Sequence, residues 1–139
     1  MQISDPHHRS GQLTIFVLND DLHKDSLELT HLKEQGYIVN SSPIAYSLPT
    51  PQNYPDLFII NIASPKSDAF ALVERIRAQS AQVGILLVIS LENQDDRVRA
   101  FLSGADNYIV RPYEIEELLA TVGSLARRLQ GCGVVLCEG

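Results

Sequence analysis

The stretch that most constrains this chain is Pro55-Asp56-Leu57-Phe58-Ile59-Ile60-Asn61-Ile62-Ala63-Ser64-Pro65. Leu57 to Ile62 is an apolar run broken by a single amide. Pro55 limits pairing upstream, and Ser64-Pro65 turns the chain downstream, because proline lacks a backbone donor and fixes φ. A short continuous run of this kind reads as a strand buried on both faces, as in a parallel sheet. In such sheets the ligand crevice lies just beyond the carboxyl ends of the strands. Asn61 is therefore placed where chemistry is expected, and it carries an amide where a carboxylate would be more useful.

Further strands and helices alternate along the chain. Leu13 to Leu18 is a second buried strand, ending on Asn19-Asp20-Asp21. Asp21 is suited to cap the next helix, with Asp20 beside it at the positive end of the dipole. Leu22, Leu27, Leu29 and Leu32 give that helix an apolar spacing as far as Gln35, and Gly36 ends it. Tyr37 to Val39 is a short strand. Pro43, Pro49, Pro51 and Pro55 then exclude a long regular helix, leaving one or two turns around Ile44 to Leu48. After the central strand, Ser67 or Asp68 caps a helix to about Gln79, with Phe70, Val73 and Ile76 on one face. Gly84 to Ser90 is another buried strand. Asp95 to Ser103 is a short helix with Val98, Phe101 and Leu102 as its apolar residues, closed by Gly104. Tyr108 to Val110 is the last strand, ending on Arg111-Pro112. Glu114 to Leu129 is an amphipathic helix, acidic at its start and basic at its end, as the macrodipole favours. Five strands alternating with helices predict an α/β fold: a flavodoxin-like doubly wound five-stranded parallel sheet with strand order 2-1-3-4-5 and right-handed crossovers.

Composition narrows the function. The 139 residues suit one domain, and at 45% apolar and 20% charged they can bury a real core. The net charge of −6 argues against general nucleic-acid affinity. No apolar run approaches the roughly 18 residues of a membrane span. Residues 1–11, with His7 and His8, read as a flexible lead-in, residues 12–129 as the domain, and 130–139 as a linker, an output-domain start or an appended tail. Within that last stretch Gly131-Cys132-Gly133 reads as the linker. The two cysteines, Cys132 and Cys137, suggest neither a disulfide framework nor a structural zinc site, so a cytoplasmic location is expected.

In the expected strand order, the ends of four strands converge on one crevice. They carry Asn19, Asp20 and Asp21, then Asn61, then Ser90, then Arg111. At this point the sequence resembles the response-regulator receiver domains of two-component signalling. The resemblance rests on the acidic end of the first strand, on "PDLFII(N)IASP" and on "GADNYIVRPYEIEELLA", in order, over about Gln12 to Leu129. It implies a phosphorelay role: an aspartate ending the third strand accepts a phosphoryl group, and two acidic residues after the first strand help to hold Mg²⁺. A Ser or Thr ends the fourth strand, and a lysine precedes a cis-proline after the fifth. Carried over by position, the phosphoacceptor is Asn61, the first acidic residue is Asn19, and the lysine is Arg111. Ser90 and Tyr108 match the switch hydroxyl and switch aromatic.

An amide oxygen is a poor nucleophile and forms no acyl phosphate, and Mg²⁺ wants carboxylate charge. The expectation is an atypical receiver: not an enzyme, with no cofactor and no metal site, and regulating transcription without aspartyl phosphorylation. The resemblance is to receivers that precede a winged-helix DNA-binding domain. It implies such an output domain as partner, no direct nucleic-acid or membrane contact by this segment, and a homodimer through the last two helices and last strand. Asp106, Glu117 and Arg128 fit the ion-pair network of that dimer, with Phe101 and Leu118 as apolar contacts; Asn107 and Thr121 depart from it. Two other functions compete. One is residual phosphoryl transfer onto Asp20, Asp21 or Ser64. The other is a flavodoxin-like domain binding a small ligand such as a nucleotide or flavin, although the first strand lacks a glycine-rich phosphate loop.

Overall fold

The computed structural model describes residues 13–19, 26–43, 48–62, 69–90 and 95–131. The strands are β1 (Thr14–Asn19), β2 (Ile38–Pro43), β3 (Leu57–Ile62), β4 (Gly84–Ile89) and β5 (Asn107–Val110). The helices are α1 (Ser26–Glu34), α2 (Ala69–Gln79), α3 (Asp95–Leu102) and α4 (Ile115–Gly131). The strands form one parallel sheet in the order β2-β1-β3-β4-β5. This is the doubly wound topology expected from the sequence.

Alternation along each strand divides the core between the two faces of the sheet. Ile15 and Val17 of β1, Leu57 and Ile59 of β3, Leu86 and Val88 of β4, and Ile109 of β5 pack with Leu32 of α1 and with Leu118, Val122 and Leu125 of α4. The intervening residues, among them Leu18, Phe58, Ile60, Leu87 and Ile89, pack with Phe70, Val73 and Ile76 of α2 and Ala100 of α3. Both central strands, β3 and β4, are buried along their whole length. Burying a side chain of this size stabilises by about 1.5–3 kcal/mol, so these strands anchor the fold.

Two local features differ from the sequence-based expectation, and a third expectation lies mostly outside the described residues. β2 runs to Pro43 rather than stopping at Val39, because Asn40 to Pro43 pair with Phe16 to Asn19. As the edge strand it tolerates polar residues, and a proline fits at its last position. The turns expected around Ile44 to Leu48 fall mostly outside the described residues. A 3₁₀ turn lies at Pro51–Asn53, where Pro51 begins it. Finally, α4 continues through Gly131, which is helical rather than part of a linker.

Two glycines carry positive φ where the chain must leave a helix: Gly36 at 97° after α1 and Gly104 at 110° after α3. Gly104 also lies under Arg77, whose Nε donates to the Gly104 carbonyl at 3.0 Å. The same guanidinium donates to the carbonyls of Ser80, Ala81 and Val83 and pairs with Asp106 at 2.9 Å. Asp106 in turn accepts from the Ile85 amide at 2.8 Å. This knot ties the end of α2 to the starts of β4 and β5, the amino-terminal end of the sheet.

Candidate functional site

The site is built at the opposite, carboxyl end of the sheet. β1 and β3 pair with Asn19 directly across from Asn61. Ile15, Val17 and Asn19 alternate onto one face, as do Leu57, Ile59 and Asn61, so the two amides emerge side by side. The Arg111 amide donates to the Ile89 carbonyl at 2.8 Å and extends the β4–β5 pairing past Val110. Counting by twos from Val88 and from Ile109 places Ser90 and Arg111 on the same face as the two amides. Strand register alone therefore gathers Asn19, Asn61, Ser90 and Arg111.

Their side chains are joined in one chain of bonds. Arg111 Nη2 donates to Asn61 Oδ1 at 3.0 Å. Asn61 Nδ2 donates to Asn19 Oδ1 at 2.9 Å. Arg111 Nη1 donates to the Ile62 carbonyl at 3.0 Å and makes a longer contact of 3.5 Å to Ser90 Oγ. The direction of the chain follows from chemistry. A guanidinium has only donors, so Asn61 must turn its oxygen to Arg111 and its NH₂ to Asn19. Asn61 is 0% exposed, so both ends of its amide need these partners.

Asp20, Asp21 and Ser64 lie outside the described residues, as do both cysteines. The Arg111-Pro112 peptide is cis. Tyr108 is half-buried and on the other face of the sheet from Arg111, with its ring edge-on to Phe101 at 5.2 Å.

The residues expected at a dimer surface separate into groups. Glu117 is exposed, and Arg128 is exposed and reaches Asp106 at 3.5 Å. Asp106 is engaged within the chain by Arg77, by the Ile85 amide and by Arg128. Leu118 is 1% exposed and packs in the core beneath α4, so it is not a surface contact. It was expected there only because the family resemblance implies a dimer through this helix. Among the described residues the large apolar side chains most exposed are on α3, Val98 at 54%, Phe101 at 55% and Leu102 at 78%, with Ile38 of the edge strand less so at 39%. Only Ala100 of these last turns is fully buried, so the helix turns its large apolar residues outward. The Arg77 knot was missed from the sequence altogether; an arginine in the last turn of α2 was its only signal.

Comparison with known proteins agrees with the architecture. The family model for the response regulator receiver domain matches residues 15–123, and the chain belongs to that family. It is 32% identical over 118 residues to the DNA-binding dual master transcriptional regulator RpaA of Synechocystis sp., covering 82% of this chain and 49% of that protein. It is 33% identical over 104 residues to the two-component response regulator PhoP of Pseudomonas aeruginosa, covering 73% and 46%. The chain thus spans about half the length of the curated relatives it matches. Its fold is similar to that of a CheY-like receiver domain protein from Methanospirillum hungatei, with a TM-score of 0.74 at 20% identity over 86% of this chain and 98% of that one.

The family implies Mg²⁺ at these strand ends. The described donors do not fit it. Asn19 Oδ1 accepts from Asn61 Nδ2, and Asn61 Oδ1 and the Ile62 carbonyl accept from the Arg111 guanidinium. A hard divalent cation wants carboxylate charge from such positions.

The bond chain makes a prediction about stability. Asn19→Ala removes the acceptor of a buried NH₂ and should cost about 1–3 kcal/mol in denaturant unfolding. Asn19→Asp retains an acceptor oxygen at that place and should cost clearly less. Equal losses for the two variants would contradict the bond direction given above.

Proposed function

We propose that this chain is a pseudo-receiver: a signal-transduction module that works without aspartyl phosphorylation. The observation that carries this reading is the Asn61 amide, buried and bonded on one side to Asn19 and on the other to Arg111. Its oxygen belongs to an amide, a poor nucleophile, and is held by Arg111, so it does not attack a phosphodonor and no acyl phosphate forms there. The phosphorylation that switches an ordinary receiver then has no acceptor at the third strand end. The module is a binding element rather than an enzyme.

The relatives named as transcriptional regulators support a role in transcription. In this reading the chain is the amino-terminal part of a longer regulator, and its main partner is a DNA-binding output domain in the same polypeptide. Signals reach it through protein contact or a small ligand. The receiver surface itself contacts neither nucleic acid nor membrane, in keeping with its acidic balance. Among the described residues no helix is long and apolar enough to cross a membrane.

Self-association is proposed through α3, β5 and α4. Asp106 is already occupied by Arg77, and Asn107 and Thr121 bond locally, Thr121 Oγ1 to the Glu117 carbonyl at 2.8 Å. The ionic part of such a contact is therefore weak here, and the apolar cluster of Val98, Phe101 and Leu102 supplies the attraction. Leu102→Asp should convert a dimer to a monomer in sedimentation equilibrium, with the thermal midpoint nearly unchanged. A mass distribution identical to that of the unsubstituted protein would remove this face from consideration.

The site reading is tested by amide NMR titration with Mg²⁺ and then beryllofluoride. The expected spectrum is unchanged at Asn19, Asn61 and Ser90. Saturable shifts at those residues, spreading to Tyr108, would show that the pocket still senses a phosphoryl-like ligand and would overturn the proposal.

A further inference from the structure

A guanidinium, standing where the family implies a lysine, takes up the oxygen acceptors at these strand ends. Three oxygens from two strands converge on it: Asn61 Oδ1 and the Ile62 carbonyl from β3, and Ser90 Oγ beyond β4. These are hard oxygen acceptors of the kind that a divalent cation takes as ligands. Arginine carries a fixed positive charge that no physiological pH removes, and its planar fork fits several acceptors at once. Its backbone is also pinned, since the Arg111 amide donates to Ile89 at 2.8 Å, one residue before Ser90.

We propose that Arg111 is a built-in cation, a positioning residue that holds the ends of β3 and β4 together and bars divalent cations from the pocket independently of the amide at position 61. The inference rests on the pseudo-receiver reading and adds a second, separate barrier to it. If Asn61 were the whole cause, restoring carboxylates at positions 19 and 61 would restore metal binding. If Arg111 is a barrier in its own right, a carboxylate at position 61 pairs with the guanidinium 3.0 Å away. The pocket then gains an internal ion pair rather than a site for Mg²⁺, and an approaching cation meets a like charge. Lysine has a compact charge on a flexible stem and no fork. It can withdraw, so the pocket should open only when Arg111 is changed as well.

The test compares Mg²⁺ alone, titrated by calorimetry and amide NMR, into N19D/N61D and into N19D/N61D/R111K. The triple variant should bind at least about tenfold more tightly, because a fixed like charge no longer faces the ion. Equal affinities would overturn the proposal. Thermal unfolding without metal gives a second measure. N61D should leave the midpoint unchanged or raised when Arg111 is present, and lower it in an R111M background. Lack of that coupling would also overturn the proposal, even if the triple variant failed to fold. Phosphorylation of the unsubstituted protein would end the pseudo-receiver reading, whereas these comparisons between variants address Arg111 itself.

Discussion

The buried amide of Asn61 is the interaction on which the functional end of this domain depends. It is fixed on both sides, by an acceptor on β1 and a donor from the end of β5. An unmade hydrogen bond in such a place costs about 1–3 kcal/mol, so the partners constrain one another. With Asn61 held, Asn19 has one orientation and Arg111 has one direction to reach. The guanidinium then takes the Ile62 carbonyl and approaches Ser90. Four strand ends that elsewhere would await a ligand are here joined by side chains of the protein itself.

That arrangement stands on the sheet, and much of the sheet was legible in the sequence. β3 begins and ends where its apolar run does, because a strand buried on both faces leaves a continuous signal. The site was legible for the same reason. Once β1, β3, β4 and β5 lie side by side, alternation assigns Asn19, Asn61, Ser90 and Arg111 to one face. β2 was read short because an edge strand has water on its open side. Asn40 to Pro43 bury little and so leave no apolar pattern.

What stayed hidden involves residues far apart along the chain. Arg77 and Asp106 are 29 positions apart, and nothing periodic connects them. Their pairing nevertheless decides whether Asp106 is available to a neighbouring molecule. The burial of Leu118 and the exposure of Val98 and Leu102 were hidden for a different cause, whereas Phe101 was expected at a surface. Apolar spacing identifies a helix but does not say which apolar side chains face the sheet. Among the α3 side chains described, Ala100 faces inward, and Val98, Phe101 and Leu102 are left outside. This exposed apolar cluster is the face proposed above for self-association. Phe101 also touches Tyr108 of β5, so that surface is joined to the strand that carries Arg111.

The central claim is that this domain works without accepting a phosphoryl group at its strand ends. The most direct measurement is the intact mass of the unsubstituted chain after incubation with acetyl phosphate and Mg²⁺, with peptide mapping of any adduct. The account predicts an unchanged mass. A phosphoryl adduct, whether mapped to Asn61 or to Asp20, Asp21 or Ser64, would contradict it and would return the domain to phosphorylation-dependent signalling.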